Sequence, residues 1–189
     1  KVMPQLLKGA VVTIQITSLS VLFGIIIGVV MGLGKLSKKA FWRIPSVIYV
    51  DVIRGTPLFV QILLVYFGVP SIINEMTGAS FRLEPIVAAV IVCSINSGAY
   101  VAEIVRAGIT SIERGQMEAA RSLGMNEGLA MRYVILPQAF KRIVPPLGNE
   151  FIALLKDTSI LAAIGVQELT RTGQLYVATT FASFPTYMG

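Results

Sequence analysis

The sequence predicts an all-α polytopic membrane helix bundle with four complete spans and the start of a fifth. Three observations carry this. Mean hydropathy is +0.75 and only 14% of the 189 residues are charged, a balance typical of membrane proteins. Long apolar runs alternate with polar intervals. The cations are placed unevenly. Of 16 Lys and Arg, eleven lie in 35–54 and 106–142, and four (Lys1, Lys8, Arg82, Arg171) lie on the other side. The cation-rich side reads as cytoplasmic, which puts the amino terminus outside and the 107–137 loop inside. The net charge of +6 is then a membrane signature, with no need of nucleic acid. A single transmembrane domain covers 1–189, with no internal repeat and no low-complexity stretch.

Composition also excludes chemistry. The chain has no His, and Cys93 is its only cysteine. A His/Cys metal cluster, a Ser-His-Asp triad and an internal disulfide are ruled out. The first apolar run is too long for a cleavable leader and lacks a cleavage motif. The chain opens at Lys1, so it reads as trimmed.

The first expected span is 6–33. At ~1.5 Å per residue it outruns a ~30 Å hydrocarbon core, so it tilts or projects. Gly24, Gly28 and Gly32 recur every four residues and suit close helix packing. Gly34-Lys35 fails as a phosphate loop. Val29 stands where the first Gly is needed and Leu36 where Ser or Thr must follow. Any ATPase is therefore a separate polypeptide. Lys35, Lys38, Lys39 and Arg43, with Phe41, Trp42 and Tyr49, predict a segment lying at the membrane interface. Gly55-Thr56-Pro57 breaks the helix. The second span follows, with its core at 57–69, and 70–84 is expected as an exposed loop.

The third span, 85–105, is rich in small residues. Asn96, Tyr100 and Glu103 stand at i, i+4 and i+7, one polar stripe. The fourth span, 143–166, is expected to carry Pro145-Pro146 in its first turn, where proline is tolerated, with Lys141 and Arg142 as anchors. A polar exit loop or short helix follows at 167–183. Residues 184–189 open the fifth span.

The longest polar interval, 115–137, organises the chain. Gly124 suits the turn that ends a helix over 116–123. Asn126 can cap a second helix, and Pro137 interrupts it. Small Ala119 and Ala120 leave room for another surface. Glu118-Ala119-Ala120, then Gly124, then Leu136-Pro137 resemble the EAA loop of ABC importer permeases. Val134 departs mildly, standing where that family more often has Ile. Arg54-Gly55-Thr56-Pro57-Leu58, Ala102-Glu103-Ile104-Val105-Arg106 and Lys156-Asp157-Thr158-Ser159 look like the polar amino-acid uptake subfamily. The resemblance covers nearly the whole chain and implies the type I permease fold. It implies a transport subunit of the prokaryotic plasma membrane, not an enzyme. It implies a second permease chain (an identical or a related one), two ATPase subunits that hold the ATP and Mg, and an extracytoplasmic binding protein. Gln116, Glu118, Ala119, Ala120, Gly124 and Pro137 would form the ATPase dock.

Charges inside a span are costly and point to function. Glu150, Lys156 and Asp157 lie in the fourth span. Glu150 and Asp157 are two turns apart, on nearly one face, with Lys156 roughly 100° from Asp157. Asn149 and Thr158 add polar groups, and Asn96, Ser97 and Tyr100 are placed to face the same cavity. Pairing of the acids with Lys156, Arg54 or Arg106, which would only hold helices together, is the competing reading. Two acids with only Lys156 nearby favour a basic amino acid (arginine, lysine or histidine), and a glutamine- or glutamate-type permease is the alternative. An ion-coupled secondary transporter or channel is the rival from another class. The sequence shows no paired half-helices or inverted repeat to support it.

Overall fold

A computed structural model describes residues 3–188. The cation Lys1 and the last residue of the expected fifth span, Gly189, lie outside the described residues. Helix α1 spans Met3–Leu36 and α2 spans Ala40–Gly55. Helix α3 (Leu58–Thr77) and α4 (Pro85–Thr110) follow. Then come α5 (Arg114–Ser122), α6 (Glu127–Ala130) and α7 (Leu136–Asp157). A 3-10 turn (Thr158–Ile164), α8 (Leu169–Thr180) and α9 (Ser183–Met188) complete the chain. No strand occurs among the described residues.

The α1–α4 pair is the frame. Gly24 lies against Ser97 and Gly98, Gly28 against Val101 and Ala102, and Gly32 against Ala102 and Val105. A Cβ on Gly28 would stand 2.5 Å from that of Val101. The missing side chains are what let the two backbones approach. On the opposite face of α1, Leu7, Val11, Ile14, Leu22, Ile26 and Val30 are each more than half exposed. An apolar stripe of that size suits hydrocarbon.

The 35–54 segment keeps Phe41, Trp42, Ile44, Ile48 and Val52 exposed on one face. It packs on both α1 and α4, and the Tyr49 hydroxyl donates to the Ile95 carbonyl at 2.6 Å. Ile95 is near the middle of α4, so α2 reaches that level through Tyr49. Lys35 is not an interfacial cation but the hub of an ion cluster. Its Nζ is 3.1 Å from Glu103 Oε2 and 3.7 Å from Asp51, and Glu103 also pairs with Arg106.

Prolines shape the remaining helices, in ways that differ from the expected breaks. Pro70 does not open a loop, and α3 runs on to Thr77, where Gly78 caps it at φ 67°. Pro137 does not interrupt its helix either. Each follows a π turn, at Leu64–Gly68 and Met131–Ile135. There Val69 donates to the Leu64 carbonyl and Leu136 to the Met131 carbonyl. Proline has no N–H and its ring displaces the carbonyl four residues back. The wider turn absorbs that displacement. Pro145-Pro146 sits mid-helix because α7 starts at Leu136, earlier than expected.

Three helices, α1, α3 and α4, are long and apolar enough to cross a membrane. Helix α7 has 22 residues but carries Glu150, Lys156 and Asp157, which lower its apolarity. Its α-helical part ends at Asp157 rather than Val166. A buried acid that the sequence reading passed over, Glu168, caps α8 by accepting from the Thr170 and Arg171 amides at 2.8 and 2.6 Å.

Candidate functional site

Two interruptions meet beside the middle of α4. At the first, Pro57 cannot donate to the Ile53 carbonyl. The Gln61 side chain does so instead, at 2.8 Å. It also donates to the Thr56 carbonyl at 3.1 Å and hydroxyl at 2.8 Å. The Gln61 carbonyl oxygen in turn accepts from Asn96 Nδ2 at 3.0 Å. The break is thus bolted to α4. At the second, α7 tightens into the 3-10 turn after Asp157, which ends at Gly165 with φ 85°. The two interruptions line one cavity. They satisfy the rule that irregular backbone at membrane depth lines a cavity.

That cavity measures about 580 Å³. Its walls are Arg54 to Leu58 at the first break, Asn96 and Tyr100 of α4, and Glu150, Ala153, Leu154 and Asp157 of α7, closed by Ile160. Four of the expected site residues therefore come together: Asn96, Tyr100, Glu150 and Asp157. Asn96 is nearly buried, and its amide is already committed to Gln61.

Three expected residues are elsewhere. Ser97 is fully buried between Gly24 of α1 and Glu150, with its hydroxyl beside the Glu150 carboxylate, so it backs the cavity wall without lining it. Thr158 is also buried, and its hydroxyl donates to the Leu155 carbonyl at 2.7 Å. Asn149, one residue before Glu150, turns roughly 100° away around α7 and does not line the cavity.

The charge content differs from the expectation too. Lys156 is exposed and outside the cavity wall. Arg54 is the cation that lines it, with its guanidinium 5.2 Å over the Tyr100 ring. The lining thus sums to two carboxylates and one guanidinium. Arg54 and Gln61 were findable from the break they flank, since a broken membrane helix needs side chains to replace its lost backbone bonds.

The exposed knob at 114–135 forms as its local sequence dictates. Gly124 takes φ 86°, and Asn126 Oδ1 accepts from the Leu129 amide at 2.9 Å. Gln116 accepts from Gln138 at 3.2 Å, which holds α5 to α7. Glu118 and Ala119 are exposed, whereas Ala120 is buried within the knob. Its small size therefore serves internal packing rather than a docking partner. Pro137 begins α7. Leu123, Leu129 and Tyr133 remain exposed on the knob.

A larger cavity of about 710 Å³ lies at the far end, near Lys8, Glu84 and Tyr176. It holds none of the expected site residues. Among the described residues no group of His, Cys, Asp and Glu could hold a metal ion.

Residues 24–189 match the family described as the binding-protein-dependent transport system inner membrane component. The glutamine transport system permease protein GlnP of Escherichia coli (strain K12) is 42% identical over 178 residues, 94% of this chain and 79% of GlnP. The arginine transport system permease protein ArtQ of Bacillus subtilis (strain 168) is 40% identical over 178 residues, 94% of this chain and 78% of ArtQ. A crystal structure of an amino acid ABC transporter with histidines superposes with TM-score 0.89 at 43% identity, covering 98% of this chain and 84% of that one. The MetNI methionine ABC transporter in inward-facing conformations shares the fold, with TM-score 0.75 at 22% identity.

Proposed function

Because this chain belongs to the family of binding-protein-dependent transport system inner membrane components, we propose that it forms the membrane path of an importer of polar amino acids. It is a transport subunit and not an enzyme. An ATPase and a binding protein are its partners by family. Two ATPase subunits, a second permease chain and a substrate-delivering receptor outside complete the proposed assembly, in a prokaryotic plasma membrane. The excess of cations at 35–54 and 106–142 supports a cytoplasmic knob and an outside amino terminus. The residues Gln116, Glu118, Ala119, Gly124 and Pro137 would meet the ATPase within a coupling segment at 107–137. ATP and loaded receptor would bias a two-state equilibrium between inward and outward cavities.

The observation that carries the substrate reading is the cavity's charge content. Arg54 offers a planar fork to an α-carboxylate. One of Glu150 and Asp157 suits the α-ammonium. The other is left for the side chain, with Asn96 and Tyr100 as neighbours. A cationic side chain neutralises it fully, which favours arginine, lysine or histidine. A glutamine amide donates to it without neutralising it, so glutamine is the alternative. Relatives named for glutamine and for arginine support both.

The test is uptake of arginine and glutamine into proteoliposomes holding the assembled transporter, for wild type, Glu150→Gln and Asp157→Asn. Each variant is expected to lose at least about tenfold in arginine uptake, the worth of one charge-assisted contact. Arginine uptake at the wild-type level in both variants would make the acids structural. A wild type that prefers glutamine would select the alternative. Transport without ATP or an ATPase would revive the secondary transporter.

A further inference from the structure

The first cavity has a neighbour. A second cavity of about 430 Å³ shares Arg54 and Tyr100 with it and extends along α4 to Glu103 and Ala107, with Arg142 of α7 on its wall. We propose that this second cavity is a carboxylate-holding station, occupied by the amino acid after it leaves the first. The proposal rests on the reading of the first cavity as an amino-acid site.

The two cavities have opposite charge. The first sets two carboxylates against Arg54. In the second, Glu103 is already engaged by Lys35 at 3.1 Å and by Arg106, so its charge is met. The guanidinium groups of Arg54 and Arg142 are the surplus. Arg142 Nη1 donates to the Ser111 carbonyl at 2.6 Å. A guanidinium carries five N–H donors, so the remaining ones can hold a carboxylate.

Arg54, stacked on Tyr100, stands on the boundary between the cavities. An α-carboxylate bound to it in the first cavity keeps that partner while crossing and gains Arg142 on arrival. Ammonium and side chain give up Glu150 and Asp157. The step is a transfer between two ion-pairing sites with no covalent change. Arg142 also touches Ser111, beside the base of the knob, so displacement of the knob reaches the residue that holds the carboxylate.

The experiment uses the complete transporter with its ATPase and binding protein, and arginine and glutamine as probes. Ala107 lines only the second cavity and is exposed. Ala107→Cys is assembled first and then alkylated with a bulky maleimide, so that folding precedes the block. Cys93 is fully buried and should not react. Alkylation is expected to cut uptake at least about tenfold, with equilibrium binding of the probes within about twofold, as when a path is blocked beyond its binding site. Arg142→Gln should lose uptake likewise, and Arg142→Lys should restore much of it, because the charge returns. Full uptake by the alkylated protein would overturn the proposal. So would an Arg142→Lys variant as impaired as Arg142→Gln, which would reduce Arg142 to a clamp on Ser111. A wild type that takes up neither probe would remove the reading of the first cavity, and this proposal with it.

Discussion

The knob at 114–135 and the cavity beside Asn96 are both polar regions of an apolar chain, but they are built in opposite ways. In the knob, the contacts that set the turn and the cap are local. Gly124 turns the chain by its own φ of 86° and Asn126 caps a helix three residues away. In the cavity, the contacts that bring the walls together are distant in sequence. Asn96 meets Gln61, and Arg54 meets Tyr100. The knob meets other surfaces, so it can be specified by a short stretch. The cavity lies at mid-span, where each polar group must find a partner from another helix. A local design tolerates distant change, and a convergent one does not.

That contrast can be broken most severely at Gly28. Gly28→Leu drives a side chain into Val101 and the Ala102 backbone and should cost about 3 kcal/mol or more. The expected outcome is loss of monodisperse protein in detergent and a lowered thermal midpoint. If the yield is unchanged and only substrate preference shifts, the glycine row lines the path instead of framing it.

Gln61 tests convergence with a smaller perturbation. Gln61→Ala strands the buried Asn96 amide and the Ile53 carbonyl, at about 1–3 kcal/mol. Probe binding is expected to weaken while the ATPase still copurifies. Binding indistinguishable from wild type would show that the break at Pro57 holds itself in place.

The smallest effect belongs to the knob. A Cβ added at Gly124 meets no neighbouring atom, so the cost of Gly124→Val is mainly the left-handed conformation, about 1–2 kcal/mol. Copurification with the ATPase should fall while amino-acid binding stays intact. Normal association would remove the knob from the coupling role.

Much of this division was legible in the chain. The glycine row, the break at Pro57, the turn at Gly124 and the cap at Asn126 each follow from one residue's backbone chemistry. The two acids of α7 were placed on one face by helical spacing alone, and they do share a cavity. What spacing misjudged were residues whose environment lies on another helix. Thr158 is polar and adjacent to a cavity residue, yet its hydroxyl bonds its own helix, and Ser97 backs Glu150 from under Gly24 without lining the cavity. Proline was also over-read as a breaker, because π turns accommodate Pro70 and Pro137.

The sequence by itself determined an all-α membrane chain, its small-residue packing seam, its knob and its family. Those depend on composition, period and local φ preference, which neighbours in the chain settle. Only the tertiary structure decided which cation faces the acids. Arg54 and Lys156 are equal in charge. Helix α2 delivers Arg54 beside Tyr100, whereas one step around α7 carries Lys156 out of the cavity. The sign and balance of a buried site come from where helices end and which faces they turn inward, and that is settled by packing across the bundle.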